Sequence, residues 1–404
     1  MDTGSTGFML LACSLVMLMT PGLAFFYGGL ATKRNILGIM IQSFASLGWT
    51  TVLWVIFGYS LCFSGGAGGI IGNFDKFMLH GVGMDSMYTN GKIPEFVFIA
   101  YQMMFAIITP ALITGAFANR VTFKSYMIFL TFWQILVYYP FVHMIWGGGL
   151  LAEWGVIDFA GGIVVHATAG FAALASVFYV GARVEKNNTP NSIPLVAIGS
   201  GLLWFGWYGF NCGSEVAVDH ITSLAFLNTD IAASFATVTW VIIEWIHAKK
   251  PKFLGLLTGS IAGLATITPC AGFIPLWASP LVGIAAGGVC YLAVQFKNKR
   301  KWDDALDVWG VHGVGGFLGC ILLGVFASKV INPSGADGLI SGTSSFFLKE
   351  TVAVVIASAY AFIFTYIMLI LINLITPVRV SEETEKLGLD MGQHGETAYD
   401  EGTL

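Results

Sequence analysis

Two histidines, His166 and His312, sit inside strongly apolar stretches, "DFAGGIVVHATAG" (158–170) and "DVWGVHGVGG" (307–316). Each stretch opens with an acid, Asp158 or Asp307, and is rich in glycine around its histidine. Imidazole has an ordinary pKa of about 6.5, so it can exchange a proton near neutral pH, bond a small polar molecule or ligate a metal. Ionisable groups inside membrane helices are costly and usually face the bundle interior, where they mark a path. For either histidine alone, the competing reading is a neutral imidazole bonded to a backbone carbonyl. Two in matching surroundings favour a shared role. A zinc site would need three or four ligands and a haem several axial histidines. No third Cys, His or carboxylate has an evident place beside the pair. Cys13, Cys62, Cys212, Cys270, Cys290 and Cys320 are scattered without a paired motif and read as small buried hydrophobes.

The elements that carry these histidines follow from composition. The chain has 404 residues, 56% apolar and only 10% charged, against about 25% charged for a soluble domain. That balance indicates an all-α integral membrane protein. The net charge of −4 gives no sign of a nucleic-acid partner. Apolar runs of about 20 residues each cross a hydrocarbon core as a helix. Eleven are expected, at 7–30, 36–61, 95–118, 125–147, 161–180, 193–213, 221–247, 253–273, 280–296, 308–327 and 350–375.

An odd number of spans puts the termini on opposite sides. All but Lys76, Lys92, Lys329 and Lys349 of the 19 basic residues, Lys186 included, fall on one side. The positive-inside rule makes that side cytoplasmic, with the N-terminus outside and the C-terminus inside. The opening "MDTGST" lacks a basic n-region, so the first apolar run reads as a retained span rather than a signal peptide.

On this count the fifth and tenth spans run in opposite directions, each with its acid and its histidine. Eleven spans then divide into a first repeat (about 7–180), an inverted second repeat (about 193–327) and a last helix (about 350–375). Inverted repeats recur in membrane transport folds, with the substrate path at their interface. Glycines would let the two histidine helices approach closely, since packing of small residues drives helix association in lipid. The membrane domain is expected over 1–377 and a cytoplasmic tail over 378–404. The tail carries seven acids and ends "DEGTL"; by composition it reads as solvated. His80, His143, His220, His247 and His394 are taken as structural or solvated.

The stretches "MTPGLAFFYGGL", "HMIWGGGLLA", "DFAGGIVVHATAG", "WFGWYGFNCGS" and "DVWGVHGVGG", in that order, resemble the ammonium transporter (Amt/Rh/Mep) family, most closely its bacterial and archaeal Amt branch. The resemblance extends nearly over the whole chain. It implies two inverted five-helix repeats plus an oblique eleventh helix, a homotrimer with one pore per subunit in the cell (inner) membrane, and no enzyme activity or cofactor. It further implies a regulatory tail contacted by a PII-type signal protein. By motif position, the substrate-binding vestibule falls on Trp146, Ser214, Tyr101 and Phe105, with Asp158 at its edge. Phe105 and Phe210 match a stacked gate, and His166, His312, Trp207 and Thr268 a hydrophobic pore. Tyr101 stands where the family usually has phenylalanine. Glu153 adds a carboxylate near the mouth and reads as a solvated loop charge.

This points to a definite chemistry for ammonium, and by extension methylammonium. A bare cation does not enter a low-dielectric pore unless it is paired or neutralised. Aromatic faces at the mouth can each supply about 0.5–2 kcal/mol of cation–π attraction, and Ser214 can supply an acceptor oxygen. Neutral ammonia would then cross the pore while the histidines carry the proton separately. Capping is the role expected of Asp307. The alternative function is an ammonium sensor that binds but transports little.

Overall fold

The computed structural model describes residues 1–89, 91–185 and 189–399; Lys186 and the terminal "DEGTL" lie outside them. Among the described residues, ten helices are long and apolar enough to cross a membrane. They are α1 (Thr3–Leu30), α2 (Lys33–Phe63), α3 (Glu95–Ile113), α4 (Phe123–Trp154), α5 (Gly162–Val180), α6 (Ile193–Glu215), α7 (His220–Ala248), α9 (Leu276–Lys299), α10 (Trp309–Phe326) and α11 (Ser344–Ile375). Between α7 and α9 lies the shorter apolar α8 (Phe253–Ile267). The expected eighth span, 253–273, is thus regular helix only to Ile267, and tight turns follow it. Pro269, which has no N–H to donate, sits where the helix stops.

The fold positions the histidines by packing small residues between helices. The helices α1 and α6 lie along one another, with Gly199 against the backbone of Phe26 and Gly29 against Val196. The helices α5 and α10 meet closest at Gly170 and Gly313, where a methyl group on Gly170 would overlap the Gly313 backbone. A methyl group on Gly316 would come within 2.5 Å of the His166 Cβ. Such close approach needs a glycine at each contact, and at Gly170–Gly313 both helices supply one. The helix α11 packs across both α5 and α10.

Each histidine sits in a widened, π-helical turn at the start of its helix, Gly162–Ala167 and Trp309–Gly313. Turns of this kind are rare and frequently mark functional positions. The acids ahead of them differ from the sequence expectation. Asp158 accepts four backbone N–H groups, those of Gly161, Gly162, Ile163 and Val164, at 2.7–3.1 Å. Its counterpart is Asp304, whose carboxylate accepts from Val308 and Trp309 at 3.1 and 2.9 Å. Asp307 is therefore not the cap of α10. Its backbone is left-handed (φ 61°) and its carboxylate pairs with Lys297 at 2.6 Å.

The tail is also different from a solvated segment. Val378, Leu389 and Asp390 are buried. The Val380 N–H donates to the Arg120 carbonyl (2.9 Å), Leu389 N–H to Asn35 Oδ1 (2.8 Å) and Gly38 N–H to Asp390 Oδ1 (2.7 Å). A short helix α12 (Glu382–Leu387) places Glu385 between Arg379 (2.8 Å) and the Val184 N–H (2.6 Å). The tail is thereby sewn to three loops on the side of the chain that carries most of the basic residues.

Candidate functional site

Two cavities approach the middle of the bundle from opposite ends. The first, about 330 Å3, opens at the end away from the basic loops and is lined by Trp146, Asp158, Ser214, Gln102, Tyr88 and Phe98 among others. The second, about 180 Å3, opens at the basic end and reaches His312. Between them stands a column of rings. Trp146 meets Phe105 edge-on at 5.7 Å, and Phe105 stacks on Phe210 at 4.1 Å. Phe210 lies 6.1 Å from the His166 ring, and His166 lies 5.3 Å from His312. Phe105, Phe210 and His166 are each about 1% exposed, so the rings close the path between the cavities.

The histidines touch through their Nδ1 atoms, 3.3 Å apart. Only one of the two nitrogens can be the donor, so the neutral pair shares a single proton at this contact. The accepting ring must then carry its own proton on Nε2, while the donating ring leaves Nε2 as an acceptor. The Nε2 of His166 is buried without a protein partner. The pair therefore offers one donor and one acceptor, the complement of a molecule with both N–H groups and a lone pair. Trp207 lies parallel to His166 at 5.5 Å and donates its indole N–H to Thr268 Oγ1 at 2.9 Å. Thr268 in turn donates to the Leu264 carbonyl at 2.8 Å. Through Trp207 it fixes a flat wall beside the imidazole.

At the first cavity, Asp158 spends its carboxylate on the backbone of the α5 entrance, and its carbonyl takes the Trp146 indole N–H at 2.8 Å. One residue thus orients both the α5 terminus and the Trp146 ring. Glu350 of α11, fully buried, accepts the N–H of the preceding Ile157 at 2.7 Å, and its Oε2 has no partner. Ser214 Oγ donates to the Phe210 carbonyl at 3.0 Å, leaving lone pairs for a donor in the cavity.

Tyr101 departs from its expected place on the cavity wall. It is fully buried behind Phe105, with its hydroxyl directed at the carbonyls of Phe210 (2.7 Å) and Gly209 (2.9 Å). The hydroxyl ties α3 to the end of α6, and Tyr88 and Phe98, stacked at 3.8 Å, line the cavity instead. Glu153 is exposed. Of the other histidines, the Nδ1 of His143 bonds the Cys62 carbonyl at 3.0 Å and that of His247 meets Tyr291 Oη at 3.1 Å. Among the described residues no group of three or more His, Cys, Asp or Glu could hold a metal.

Sequence reasoning missed Asp304, Gln102, Glu350 and Lys297. The signal for Asp304 was present: Asp158 and Asp304 each precede their histidine by the same interval, whereas Asp307 does not. Glu350 was visible as an isolated carboxylate in an apolar run. At the basic end, Asp303 bridges Arg183 (2.6 Å) and Arg120 (3.6 Å). Burial alone would raise its pKa, but the hydrogen bond from Arg183 and the charges of both arginines hold it down at about 2.

The profile of the Ammonium Transporter Family matches residues 7–399. An ammonium transporter of Bacillus subtilis is 43% identical over 401 residues, covering 99% of both chains. The Archaeoglobus fulgidus ammonium transporter Amt1 is 42% identical over 402 residues, covering 99% of this chain and 100% of its own. The crystal structure of Saccharomyces cerevisiae Mep2 superposes with a TM-score of 0.92 at 33% identity, covering 100% of this chain and 93% of the other. With its apolar helices and matches of this length in accord, the chain belongs to the ammonium transporter family and is a multi-pass membrane protein.

Proposed function

We propose that this chain transports ammonium by recruiting the ion in the cavity beside Trp146 and Ser214 and passing ammonia through the pore at His166 and His312, the proton travelling separately. The observation that carries this reading is the unbroken contact from Trp146 through Phe105, Phe210 and His166 to His312. The cation is held at the mouth by the Trp146 face and the Ser214 oxygen, and Asp158 adds negative charge just behind them. Phe105 and Phe210 form the gate. Tyr101 braces Phe105 rather than facing the ion. Beyond the gate an apolar channel admits ammonia, whose donor and acceptor needs the histidine pair meets.

The same proposal takes eleven crossings, α8 with its following turns completing the eighth, in two inverted five-helix repeats plus α11. It puts the N-terminus outside, the basic loops and C-terminus in the cytoplasm, and the chain in the cell (inner) membrane. The matching Asp158–His166 and Asp304–His312 pairs support the inverted repeat, and the basic loops support the orientation. We take the assembly to be a homotrimer. Asp230, about three turns into α7, is only partly buried and accepts from Tyr208 Oη at 2.6 Å; a carboxylate at that depth is costly against lipid and is covered by a second copy. Residues 1–377 form the transport domain and 378–404 a regulatory tail on the face where a PII-type protein would dock.

Ammonium uptake into liposomes containing the purified protein tests the transport reading. Saturable uptake above empty liposomes supports it; ammonium binding without uptake would instead favour the sensor.

A further inference from the structure

The cavity at the basic end holds a feature that the transport reading leaves unused. Lys297, near the end of α9, is 5% exposed yet lines this cavity together with His312, Asp307 and Arg183. Its Nζ lies 2.6 Å from Asp307 Oδ1 and 2.6 Å from the Asp304 carbonyl. The Asp304 carboxylate is meanwhile spent on the N–H groups of α10, so only its backbone carbonyl faces the lysine. Asp307 reaches the lysine from a left-handed backbone, a conformation that costs an ordinary residue energy and that functional positions retain. A carboxylate and a carbonyl around a small N–H donor make a seat for an ammonium ion, and the lysine head is a substituted ammonium.

The two mouths differ in the charged groups that line them. Among the described residues lining the cavity beside Trp146 there is no lysine or arginine, and Asp158 stands at its wall. The cavity below His312 is faced by Lys297 and Arg183, each paired with a carboxylate, Asp307 at 2.6 Å and Asp303 at 2.6 Å. A tethered cation that already occupies the oxygen ligands of a narrow passage leaves no place for a mobile cation, while a neutral solute does not need those ligands.

We propose that Lys297 is a tethered ammonium that fills the cation seat of the cytoplasmic mouth, formed by Asp307 and the Asp304 carbonyl. Held there, it keeps ammonium and potassium ions from entering the pore from the cytoplasm while ammonia leaves. The inference rests on the reading that ammonia is the species crossing the pore.

The test uses right-side-out vesicles from cells expressing the full chain, loaded with potassium chloride or with choline chloride as control. Potassium is close to ammonium in size and cannot shed its charge. Initial ammonium uptake by the wild type is expected to be the same with either salt. In Lys297→Met the freed Asp307 binds potassium, and lumenal potassium slows uptake severalfold. The double variant Lys297→Met/Asp307→Asn lacks the seat and regains insensitivity, and Lys297→Arg behaves as wild type. Equal slowing of wild type and Lys297→Met, or a double variant as sensitive as the single one, overturns the proposal. If Lys297→Met does not reach the membrane, severalfold slowing of the wild type by lumenal potassium still overturns it. Absence of any wild-type uptake defeats the transport reading itself, and this inference with it.

Discussion

His166 and His312 face one another Nδ1 to Nδ1 at 3.3 Å, a distance at which the two nitrogens must take opposite roles, one donor and one acceptor. The contact explains why each helix carries glycine where it does: Gly316 leaves room for the His166 Cβ, and Gly170 and Gly313 let the backbones touch. Removing either ring breaks the shared proton and the column of rings together.

Replacing His166 with alanine is expected to slow ammonium uptake by ~10-fold or more, equivalent to ~1.4 kcal/mol of added barrier. Ammonium binding at the Trp146 mouth should remain near wild type, since His166 lies beyond the gate. Uptake and binding measured on one reconstituted preparation check this; equal loss of both would contradict it.

Trp146→Leu removes the aromatic face at the mouth while keeping an apolar side chain. Losing about 0.5–2 kcal/mol of cation–π attraction raises the apparent KM for uptake by roughly 2- to 30-fold, with the maximal rate little changed. Saturation curves of uptake distinguish this from a pore defect, which would lower the maximal rate.

Asp158 organises the α5 entrance through four N–H groups. Asp158→Ala leaves them without acceptors in a buried position, each orphaned group costing about 1–3 kcal/mol before relaxation. Asp158→Asn retains one acceptor oxygen and should be the milder change. Thermal unfolding in detergent is expected to rank wild type above Asp158→Asn above Asp158→Ala.

Glu350→Gln keeps the acceptor for the Ile157 N–H and should match wild type in uptake and melting temperature. Glu350→Leu removes it, costs about 1–3 kcal/mol, and loosens the segment that orients Trp146. A raised apparent KM in Glu350→Leu, rescued in Glu350→Gln, is the expected pattern in uptake assays.

The Asp303 pKa lies at about 2, below its ordinary 3.8. A carboxyl lowered by folding stabilises the fold fully above its unfolded pKa, and that contribution is lost as pH falls from near 4 through about 2. The wild type should therefore melt above Asp303→Asn at neutral pH, with the gap closing only below pH 4. Melting curves across pH 7 to pH 2.5 check it.

Much of this was legible in the residues because membrane burial leaves blunt signals. Long apolar runs and the asymmetry of lysine and arginine marked the helices, and a histidine inside such a run is conspicuous. Sequence proximity misled the pairing of acids, since Asp307 stands nearer to His312 while Asp304 bonds the helix N–H groups. Motif position puts Tyr101 beside the cavity but does not say which way its ring turns; its hydroxyl meets the carbonyls of α6. Glu385 and Asp390 of the tail looked solvated because the backbone of residues 184 and 38, which they bond, is brought to them only by folding.

The central claim is that ammonium is bound as an ion, crosses as ammonia and sends its proton by a separate route. Simultaneous recording of ammonium uptake and current, with purified wild-type protein in liposomes, tests it most directly. The account predicts an inward positive current proportional to uptake, with one charge moved for each ammonia delivered. Uptake with no accompanying current would contradict it.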